Sequence, residues 1–250
     1  MEMPAKSFVG ILGPNGSGKT TLLRALAGVV RPSGGRVLLD GSDLARVPRQ
    51  LLARRMAVVP QETHLAFDYT VLEVVLMGRY PHLGTFEIEG PADFAIARDA
   101  LAATGTLELQ DRPFDTLSGG EKQRVIIAAA LAQIAAAEAE RDGILLLDEP
   151  TVALDLAFQL ELGTLLRDLQ RRLPIAIAVS THDLNFAAGL CRTVVLLKEG
   201  EVLAAGPTEE VLTPEHIRLL YGVNADITRH AGTGRLVIVP VSRVAAGSST

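Results

Sequence analysis

The sequence contains a single cysteine, Cys191, among its 250 residues. One thiol can form neither an internal disulfide nor a cysteine-based metal site, so both are excluded. Because Cys191 lies at the end of a predicted helix, we interpret it as a packing residue without a chemical role.

The chain also lacks an excess of positive charge. Its 24 lysines and arginines are outnumbered by 29 aspartates and glutamates, which gives a net charge of −5 and a pI of about 5.6. A protein whose main partner is nucleic acid is expected to present a basic surface. The composition therefore argues against nucleic acid as a partner.

Long hydrophobic runs are missing, although 48% of the residues are hydrophobic and the mean hydropathy is +0.28. No apolar run reaches the roughly 20 residues that span a bilayer, and the N-terminus shows no apolar signal-peptide core. The apolar runs are short and continuous, which is typical of parallel strands buried on both faces. We therefore expect a cytoplasmic location.

Short apolar strands alternate with helical stretches along most of the chain, which predicts a parallel α/β core. The predicted strands are residues 8–12, 36–39, 56–60, 144–147, 175–179, 194–197, 202–205 and 235–240. The helices with predicted bounds are residues 20–27, 120–137, 156–171, 208–212 and 214–221, and a further helix without a predicted start ends at Cys191. Residues 247–250 are predicted to be disordered.

A helical block interrupts this alternation, with breaks at Pro81, Gly84, Gly90 and Pro91. We interpret it as a helical subdomain of about residues 67–139, inserted into one domain that covers residues 1–250. Residues 1–66 and 140–250 then form the α/β core and the C-terminal part. The chain has no internal repeat and no low-complexity tract.

A glycine-rich loop joins the first predicted strand to the first predicted helix, and it fits the pattern G-x-x-x-x-G-K-[ST]. Phosphate oxygens need backbone N–H groups at close range, and glycines together with a helix N-terminus provide them. Lys19 can reach the β- and γ-phosphates, and the Thr20 hydroxyl can bind Mg²⁺. A plain glycine turn with a surface lysine is the alternative, which the strand–loop–helix order disfavours. The predicted nucleotide-binding residues here are Gly13, Pro14, Asn15, Gly16, Ser17, Gly18, Lys19, Thr20 and Thr21.

Four polar side chains follow predicted buried strands, where the C-terminal edge of a parallel sheet faces the ligand crevice. Asp148 and Glu149 end one strand; we predict Mg²⁺ binding for Asp148 and a general-base role for Glu149. His182 follows another strand and can hydrogen-bond the γ-phosphate, while Gln61 can contact Mg²⁺ or the attacking water. The predicted catalytic residues are therefore Glu149, His182 and Gln61, and the predicted metal ligands are Thr20, Gln61 and Asp148. Without the glycine loop, a solvated strand end would be the better interpretation of each.

A second anion-binding element is predicted at Ser118, Gly119 and Gly120, which precede the long predicted helix. Serine is a good N-cap, and the glycines expose N–H groups at the helix N-terminus. A simple capped helix start would explain these three residues alone. The wider string Leu-Ser-Gly-Gly-Glu-Lys-Gln at residues 117–123 is far more specific.

Taken together and in order, these motifs resemble those of ABC-transporter ATPase subunits over nearly the whole chain. The matching positions are residues 13–20, Gln61, residues 117–123, 144–150, 153–155 and His182. Residues 70–82, 181–185 and 210–215 look like the branch that serves importers of ferric siderophores, haem and vitamin B12. The resemblance implies a P-loop NTPase core of the RecA type with the inserted α-helical subdomain.

The resemblance also implies how such a subunit works and with which partners. Two copies would form a head-to-tail homodimer with ATP and Mg²⁺ at the interface. Ser118, Gly119 and Gly120 of one subunit would complete the site of the other, with Asp155 near the seam. Residues 61–84 would cup a helix of integral-membrane permease subunits at the cytoplasmic face of the cell membrane. An extracytoplasmic substrate-binding protein would act indirectly.

One departure from the family concerns the start of the chain, since only residues 1–12 precede the glycine loop. The family normally has more antiparallel strands there and an aromatic residue that stacks on adenine. We therefore expect the N-terminal antiparallel strands to be incomplete, and we interpret Phe8 as a core residue. Losing the stacking contact would weaken ATP binding by about 1–2 kcal/mol.

Several functions remain open at this point. The leading hypothesis is an ATPase that energises import of a ferric siderophore, haem or cobalamin, and the alternative is an importer of another solute, such as a metal ion. An ABC ATPase of translation or DNA repair is disfavoured because the chain has one nucleotide domain and no sustained heptads. A subunit that binds ATP without turnover is disfavoured by Glu149 and His182.

Overall fold

The computed structural model describes residues 1–63, 65–135, 142–152 and 154–244. Four predictions therefore fall wholly or partly outside the described residues. They concern the disorder of residues 247–250, the last two residues of the predicted helix 120–137, the subdomain boundary at residues 139 and 140, and Ala153 of the family motif.

Strands and helices alternate over the described residues, with a helical block between the fourth and fifth strands. The strands are β1 Phe8–Leu12, β2 Leu38–Leu39, β3 Ser42–Asp43, β4 Met56–Val59, β5 Gly143–Asp148, β6 Ile175–Thr181, β7 Thr193–Lys198, β8 Glu201–Pro207, β9 Val223–Arg229 and β10 Leu236–Arg243. The helices are α1 Lys19–Leu26, α2 Arg49–Arg55, α3 Val71–Leu76, α4 Pro91–Thr104, α5 Gly119–Ile134, α6 Leu156–Arg172, α7 Leu184–Leu190, α8 Thr208–Val211 and α9 Pro214–Tyr221.

The main sheet has six strands in the order β4-β5-β6-β1-β7-β8. The first five strands in this order run parallel, and β8 returns antiparallel to β7 at the edge. The predicted parallel α/β core is thus confirmed. Because the parallel strands end at the same edge, the segments that follow β1, β4, β5 and β6 lie together.

The core fills both faces of this sheet, because successive side chains of a strand point in opposite directions. Ile11 and Leu146 belong to the smaller cluster, which packs against α1 through Leu23. Phe8 belongs to the larger cluster on the other face and is 2% exposed, as expected of a core residue. Every residue of β1 and of β6 is buried, which explains the continuous apolar runs at residues 8–12 and 175–179.

The helical block comprises α3, α4 and α5, with a 3-10 turn at Met77–His82 after α3. A capping box starts α3: the Thr70 hydroxyl accepts from the N–H of Glu73, and the Glu73 carboxylate accepts from the N–H of Thr70. Pro91 occupies the first turn of α4, where its missing N–H costs nothing. The division of the chain at residues 67 and 139 stays a proposal.

The sequence analysis missed helix α2 and strands β3 and β9. Helix α2 contains no buried residue, so it lacks the apolar face that marks a helix in sequence. Strand β9 is mostly exposed and pairs only with β10, in an antiparallel ladder separate from the main sheet. The predicted strand 36–39 is reduced to β2, which pairs with β3.

Residues 1–7 contain no strand. Near the other end of the chain, β10 packs against α7, and α9 packs against β9.

Cys191 is buried in the larger core cluster, and burial raises the pKa of its thiol. Within the described ranges, no helix has the length and apolarity that crossing a membrane requires.

Candidate functional site

The glycine loop lies between β1 and α1, at the C-terminal edge of the sheet. Gly16 and Gly18 adopt positive φ angles of 80° and 100°, a region that glycine enters without strain. At Gly13 a Cβ atom would collide with the backbone oxygen of Leu197 and the side chain of Ser17. The loop therefore needs glycine at these positions for backbone geometry and for space.

Lys19 is buried, and its ammonium group is held by three oxygens. It donates to the backbone oxygens of Gly13 at 2.8 Å and Pro14 at 3.0 Å, and it pairs with Glu149 Oε1 at 2.9 Å. The second carboxylate oxygen of Glu149 lies 2.7 Å from Nδ1 of His182. Three of the predicted residues thus form one continuous chain of contacts.

Asp148 forms a second group of contacts beside the first. Its Oδ1 accepts from the Thr20 hydroxyl at 3.0 Å and from the Ser180 hydroxyl at 2.6 Å. The Ser180 oxygen in turn accepts from the N–H of Glu149 at 2.9 Å. Ser180 was missed by the sequence analysis; its signal is its place two residues before His182 at the end of a predicted strand.

Glu149 has a φ angle of 47°, in the left-handed region that non-glycine residues rarely adopt. Such a conformation costs about 1–3 kcal/mol and persists only where surrounding contacts enforce it. Here the enforcing contacts are Ser180, Lys19 and His182. In this backbone conformation the Glu149 carboxylate contacts Lys19, at the end of the glycine loop.

A cavity of about 470 Å³ opens at this edge of the sheet. Its lining residues are Asn15, Gly16, Gly18, Lys19, Thr20, Thr21, Gln61, Glu149, Val152 and His182. All but Val152 were predicted site residues. None of the lining residues that the structure describes is Phe, Tyr or Trp, so no side chain here is assigned to a nucleotide base.

The residues of this cavity fit a magnesium-bound triphosphate. The buried hydroxyl of Ser17, beside the glycine loop, has no hydrogen-bond partner and can bind a phosphate oxygen. Thr20, Asp148 and Gln61 offer oxygen atoms, the ligands that Mg²⁺ prefers. Over the described residues, no cluster of three histidine, cysteine or acidic side chains forms a metal site by itself.

A larger cavity, of about 1220 Å³, lies on the α1 face of the sheet. Its lining is mainly apolar and includes Met3, Leu22, Leu26 and Ile144. It contains none of the predicted site residues. We therefore place the chemistry in the smaller, polar cavity at the glycine loop.

Ser118, Gly119 and Gly120 begin α5, away from that cavity. Ser118 and Glu121 form a capping box, with hydrogen bonds of 3.3 Å and 2.8 Å between side chains and main-chain N–H groups. A Cβ atom at Gly120 would overlap the ring of Phe158. Asp155 caps α6 by accepting from the N–H of Phe158 at 2.9 Å. These four predicted residues lie near one another, but within this chain none of them lines the cavity that contains Lys19.

The sequence profile of the ABC transporter family matches residues 1–152. The chain belongs to the ABC transporter family. It is an ATP-binding subunit that hydrolyses ATP, and its fold is that of a P-loop NTPase. The predicted family and fold are thereby confirmed.

Three curated relatives of this ABC subunit are similar over most of the chain. The hemin import ATP-binding protein HmuV of Gloeobacter violaceus is 44% identical over 96% of this chain and 86% of its own. The ferric enterobactin transport ATP-binding protein FepC of Escherichia coli is 39% identical, over 98% and 88%. The cobalamin import ATP-binding protein BtuD of Halobacterium salinarum is 39% identical, over 97% and 59%.

Two solved structures of ABC proteins are similar in fold. One, from a metal-chelate type ABC transporter in an inward-facing conformation, has a TM-score of 0.83 and 31% identity over 96% of this chain and 90% of that one. The other, the dimeric cassette MJ0796, has a TM-score of 0.69 and 29% identity over 83% and 88%. ABC cassettes function as dimers with membrane permease subunits.

Proposed function

We propose that this ABC subunit energises the import of a ferric siderophore, haem or cobalamin. Relatives named for hemin, ferric enterobactin and cobalamin import align with more than nine-tenths of the chain. The sequence at residues 70–82, 181–185 and 210–215 supports the same branch. The single observation that carries the chemical part of the proposal is the contact of Glu149 with both Lys19 and His182.

In this proposal the glycine loop binds the triphosphate of ATP. Asn15, Gly16 and Gly18 present their N–H groups, and Thr21 lies in the first turn of α1, whose N-terminal dipole favours negative charge. Lys19 leaves the backbone oxygens of Gly13 and Pro14 and neutralises the phosphate oxygens. Its burial keeps the ammonium group close to the loop, where charge interactions are stronger than in water.

Glu149 is the proposed general base. It accepts a proton from the water that attacks the γ-phosphorus, while the bond between that phosphorus and its bridging oxygen breaks to release ADP and phosphate. His182 orients Glu149 and contacts the γ-phosphate. Gln61, which lines the same cavity, orients the attacking water.

Mg²⁺ is the proposed cofactor, held by Thr20, Asp148 and Gln61. When bound, it would neutralise charge that develops on the phosphate oxygens. Ser180 keeps the Asp148 carboxylate in place through its 2.6 Å hydrogen bond. Thr20 already contacts the same carboxylate oxygen, so hydroxyl and carboxylate can approach one ion together.

A homodimer is the proposed active unit. Ser118, Gly119 and Gly120 lie outside the Lys19 cavity of their own chain, and the N-terminus of α5 can bind the phosphate of a nucleotide held by the second copy. Asp155 adjoins this turn through Phe158, so it would lie near the seam. ATP would then stabilise the pair, and hydrolysis would release it.

The proposed membrane contact involves residues 61–84, which would cup a permease helix at the cytoplasmic face of the membrane. Large apolar side chains are exposed within and just beyond this segment, at Phe67, Tyr80, Phe86 and Ile88. Exposed apolar groups of this kind mark interaction sites. A substrate-binding protein outside the cytoplasm would deliver the cargo to the permease.

Glu149→Gln tests the chemical part of the proposal. The variant should bind ATP, lose turnover and accumulate as an ATP-dependent dimer, because the amide cannot accept the proton. Binding is measured by fluorescent nucleotide titration, turnover by phosphate release, and association by size-exclusion chromatography. The exposed Glu108→Gln is the matched control and should behave as wild type. Full hydrolysis by Glu149→Gln would disprove the general-base role.

The cargo is tested by reconstituting the subunit in proteoliposomes with the permease encoded nearest its gene and the matching binding protein. ATP-dependent uptake of labelled haem, ferric siderophore and cobalamin is then compared. One of the three should accumulate, and the Glu149→Gln complex should transport none. Uptake of an unrelated solute alone would show that the proposed cargo class is wrong.

A further inference from the structure

The segment after β8 contacts the His182 loop directly. Tyr221, the last residue of α9, donates its hydroxyl to the backbone oxygen of His182 at 3.3 Å. The two residues are separated by 39 positions in sequence, so the contact depends on the fold of the C-terminal part. A cavity of about 520 Å³ beside this contact is lined by residues of both segments, including His182 and Tyr221.

Asn185 makes a second connection three residues further along. Its side-chain amide donates to the backbone oxygen of Ile238 at 3.1 Å and accepts from the N–H of the same residue at 2.8 Å. Two hydrogen bonds to one residue fix the orientation of the amide plane. Ile238 lies in β10 and is 2% exposed, so the first turn of α7 is fastened to a buried residue.

The side chain of His182 is 51% exposed, so packing around the imidazole does not hold it in place. Apart from its 2.7 Å contact with Glu149, its direction depends on the backbone on either side. On one side Ser180 and Thr181 belong to the buried strand β6. On the other side Asp183 caps α7 by accepting from the N–H groups of Asn185 and Phe186, each at 2.9 Å.

Tyr221 serves as a hydrogen-bond donor over the whole physiological pH range. Burial raises the pKa of its phenol, and the nearby negative charges of Glu149 and Asp183 raise it further. The phenol oxygen therefore keeps its proton and always has one to donate to the His182 oxygen. The contact runs to the main chain of His182, and Tyr221 does not line the Lys19 cavity among the described residues.

We propose that Tyr221 and Asn185 are positioning residues, which hold the backbone of residues 182–185 so that the His182 imidazole stays within hydrogen-bond distance of Glu149. The inference rests on the roles proposed above for His182 and Glu149. It gives α9 and the β9–β10 ladder a part in ATP hydrolysis, although neither contacts the nucleotide cavity.

The test uses Tyr221→Phe, which removes only the hydroxyl, and Asn185→Ala, which removes both hydrogen bonds to Ile238. Each should lower the kcat of ATP hydrolysis by about three- to tenfold, the effect of losing one or two hydrogen bonds. The KM for ATP should stay unchanged because the glycine loop is untouched. Asn224→Ala is the matched control, since the Asn224 side chain donates to the Ser242 hydroxyl within the same ladder.

A spectroscopic readout separates positioning from loss of stability. The chain has five histidines, so ¹⁵N-histidine labelling gives a small set of imidazole signals, and His182→Gln identifies the one from His182. That signal should shift in Tyr221→Phe and Asn185→Ala while the others stay in place. A fall in kcat without the shift, or a shift without a fall in kcat, would overturn the inference.

The failure of this inference can be distinguished from failure of the proposed function. If Glu149→Gln and His182→Gln lose turnover while Tyr221→Phe and Asn185→Ala keep wild-type kcat, only the positioning role is wrong. If Glu149→Gln hydrolyses ATP normally, the proposed chemistry itself is wrong. Tyr221→Phe removes only the hydroxyl and preserves the ring, so it provides a folded variant even if Asn185→Ala unfolds.

Discussion

Gly13 shows how tightly a single residue can constrain the phosphate loop. The space where its Cβ would stand is occupied by the backbone oxygen of Leu197, which belongs to β7. The next turn is fixed as well, because the N–H of Gly200 donates to the backbone oxygen of Ser17 at 3.1 Å. The loop therefore rests on the β7–β8 hairpin, and a methyl group would separate the two.

We expect Gly13→Ala to lower the free energy of unfolding by about 1–3 kcal/mol, the usual cost of overpacking. ATP affinity should fall too, because the displaced loop presents its N–H groups less well. Urea denaturation and nucleotide titration measure the two effects. Gly34→Ala is the control, since a Cβ atom there would meet nothing within 4 Å. Wild-type stability of Gly13→Ala would contradict the steric argument.

At the residue scale, the sequence predicted the residues that belong to local motifs. Lys19, Asp148 and Glu149 could be chosen because each has a marked neighbourhood in the chain. Ser180 and Tyr221 were missed, since neither belongs to a local motif and each acts through a contact with a residue distant in sequence. Ser180 reaches Asp148 only because β5 and β6 pair in the register that sets these two residues side by side.

At the element scale, the 3-10 turn Met77–His82 links the helical block to the core. The buried Arg79 donates to the backbone oxygens of Ala132 and Ala135 at the end of α5, and it pairs with Asp93 of α4. His82 Nε2 lies 2.7 Å from the backbone oxygen of Gln133. The Gln133 side chain then donates to the backbone oxygens of Ala53 and Met56, at 2.8 Å and 3.0 Å.

This turn should make stability depend on pH through His82. Burial lowers the pKa of its imidazole below the usual 6.5, and the charges of Arg79 and Arg54 lower it further. The unfolded chain therefore binds a proton below pH 6.5 before the folded chain does, so acidification favours unfolding. We expect the urea midpoint to fall less between pH 7.5 and pH 5.5 in His82→Gln than in wild type.

The nearby Asp93 carboxyl does not change its protonation in the comparison of wild type with His82→Gln. Burial raises the pKa of the Asp93 carboxyl, but its hydrogen bond from the N–H of Gly90 and its contact with Arg79 outweigh burial, so the pKa lies below 3.8. Asp93 thus stays charged throughout the measured range. Identical pH dependence of wild type and His82→Gln would refute the assignment to His82.

Helices whose start is marked by a capping motif in the sequence were predicted well. Helices α3 and α5 start at capping boxes written in their sequences, Thr70 with Glu73 and Ser118 with Glu121. Helix α2 and strand β9 have a weaker signal, because α2 contains no buried residue and Ala225 is the one buried residue of β9. Their positions follow from tertiary contacts, which the local sequence does not contain.

At the scale of the whole molecule, the two predicted phosphate-binding elements stay apart within one chain. Lys19 and its cavity lie at the end of β1, whereas Ser118 caps α5. The sequence predicted both elements, but contacts within one chain do not reveal how two chains meet. The proposed homodimer accounts for the separation, because each element would face its counterpart on the other copy.

We expect the isolated Ser118→Arg subunit to bind ATP as the isolated wild-type subunit does. It should lose ATP-dependent association and most of its turnover, since the bulky cation would occupy the interface. Light scattering of mixtures with Glu149→Gln measures association, and phosphate release measures turnover. Thr116→Arg, near the same turn but before the cap, is the comparison variant. Full activity of Ser118→Arg would contradict a shared site.

Strand β1, which carries the phosphate loop, lies between β6 and β7 in the interior of the sheet. The loop is therefore attached to a strand that is hydrogen-bonded to a neighbour on each side. Gln61 follows β4 at the margin of the same sheet, and α5 reaches that margin through Gln133. Movement that follows hydrolysis should accordingly begin at the edge of the sheet. A spectroscopic probe attached near β4 would then report it sooner than a probe attached near β1.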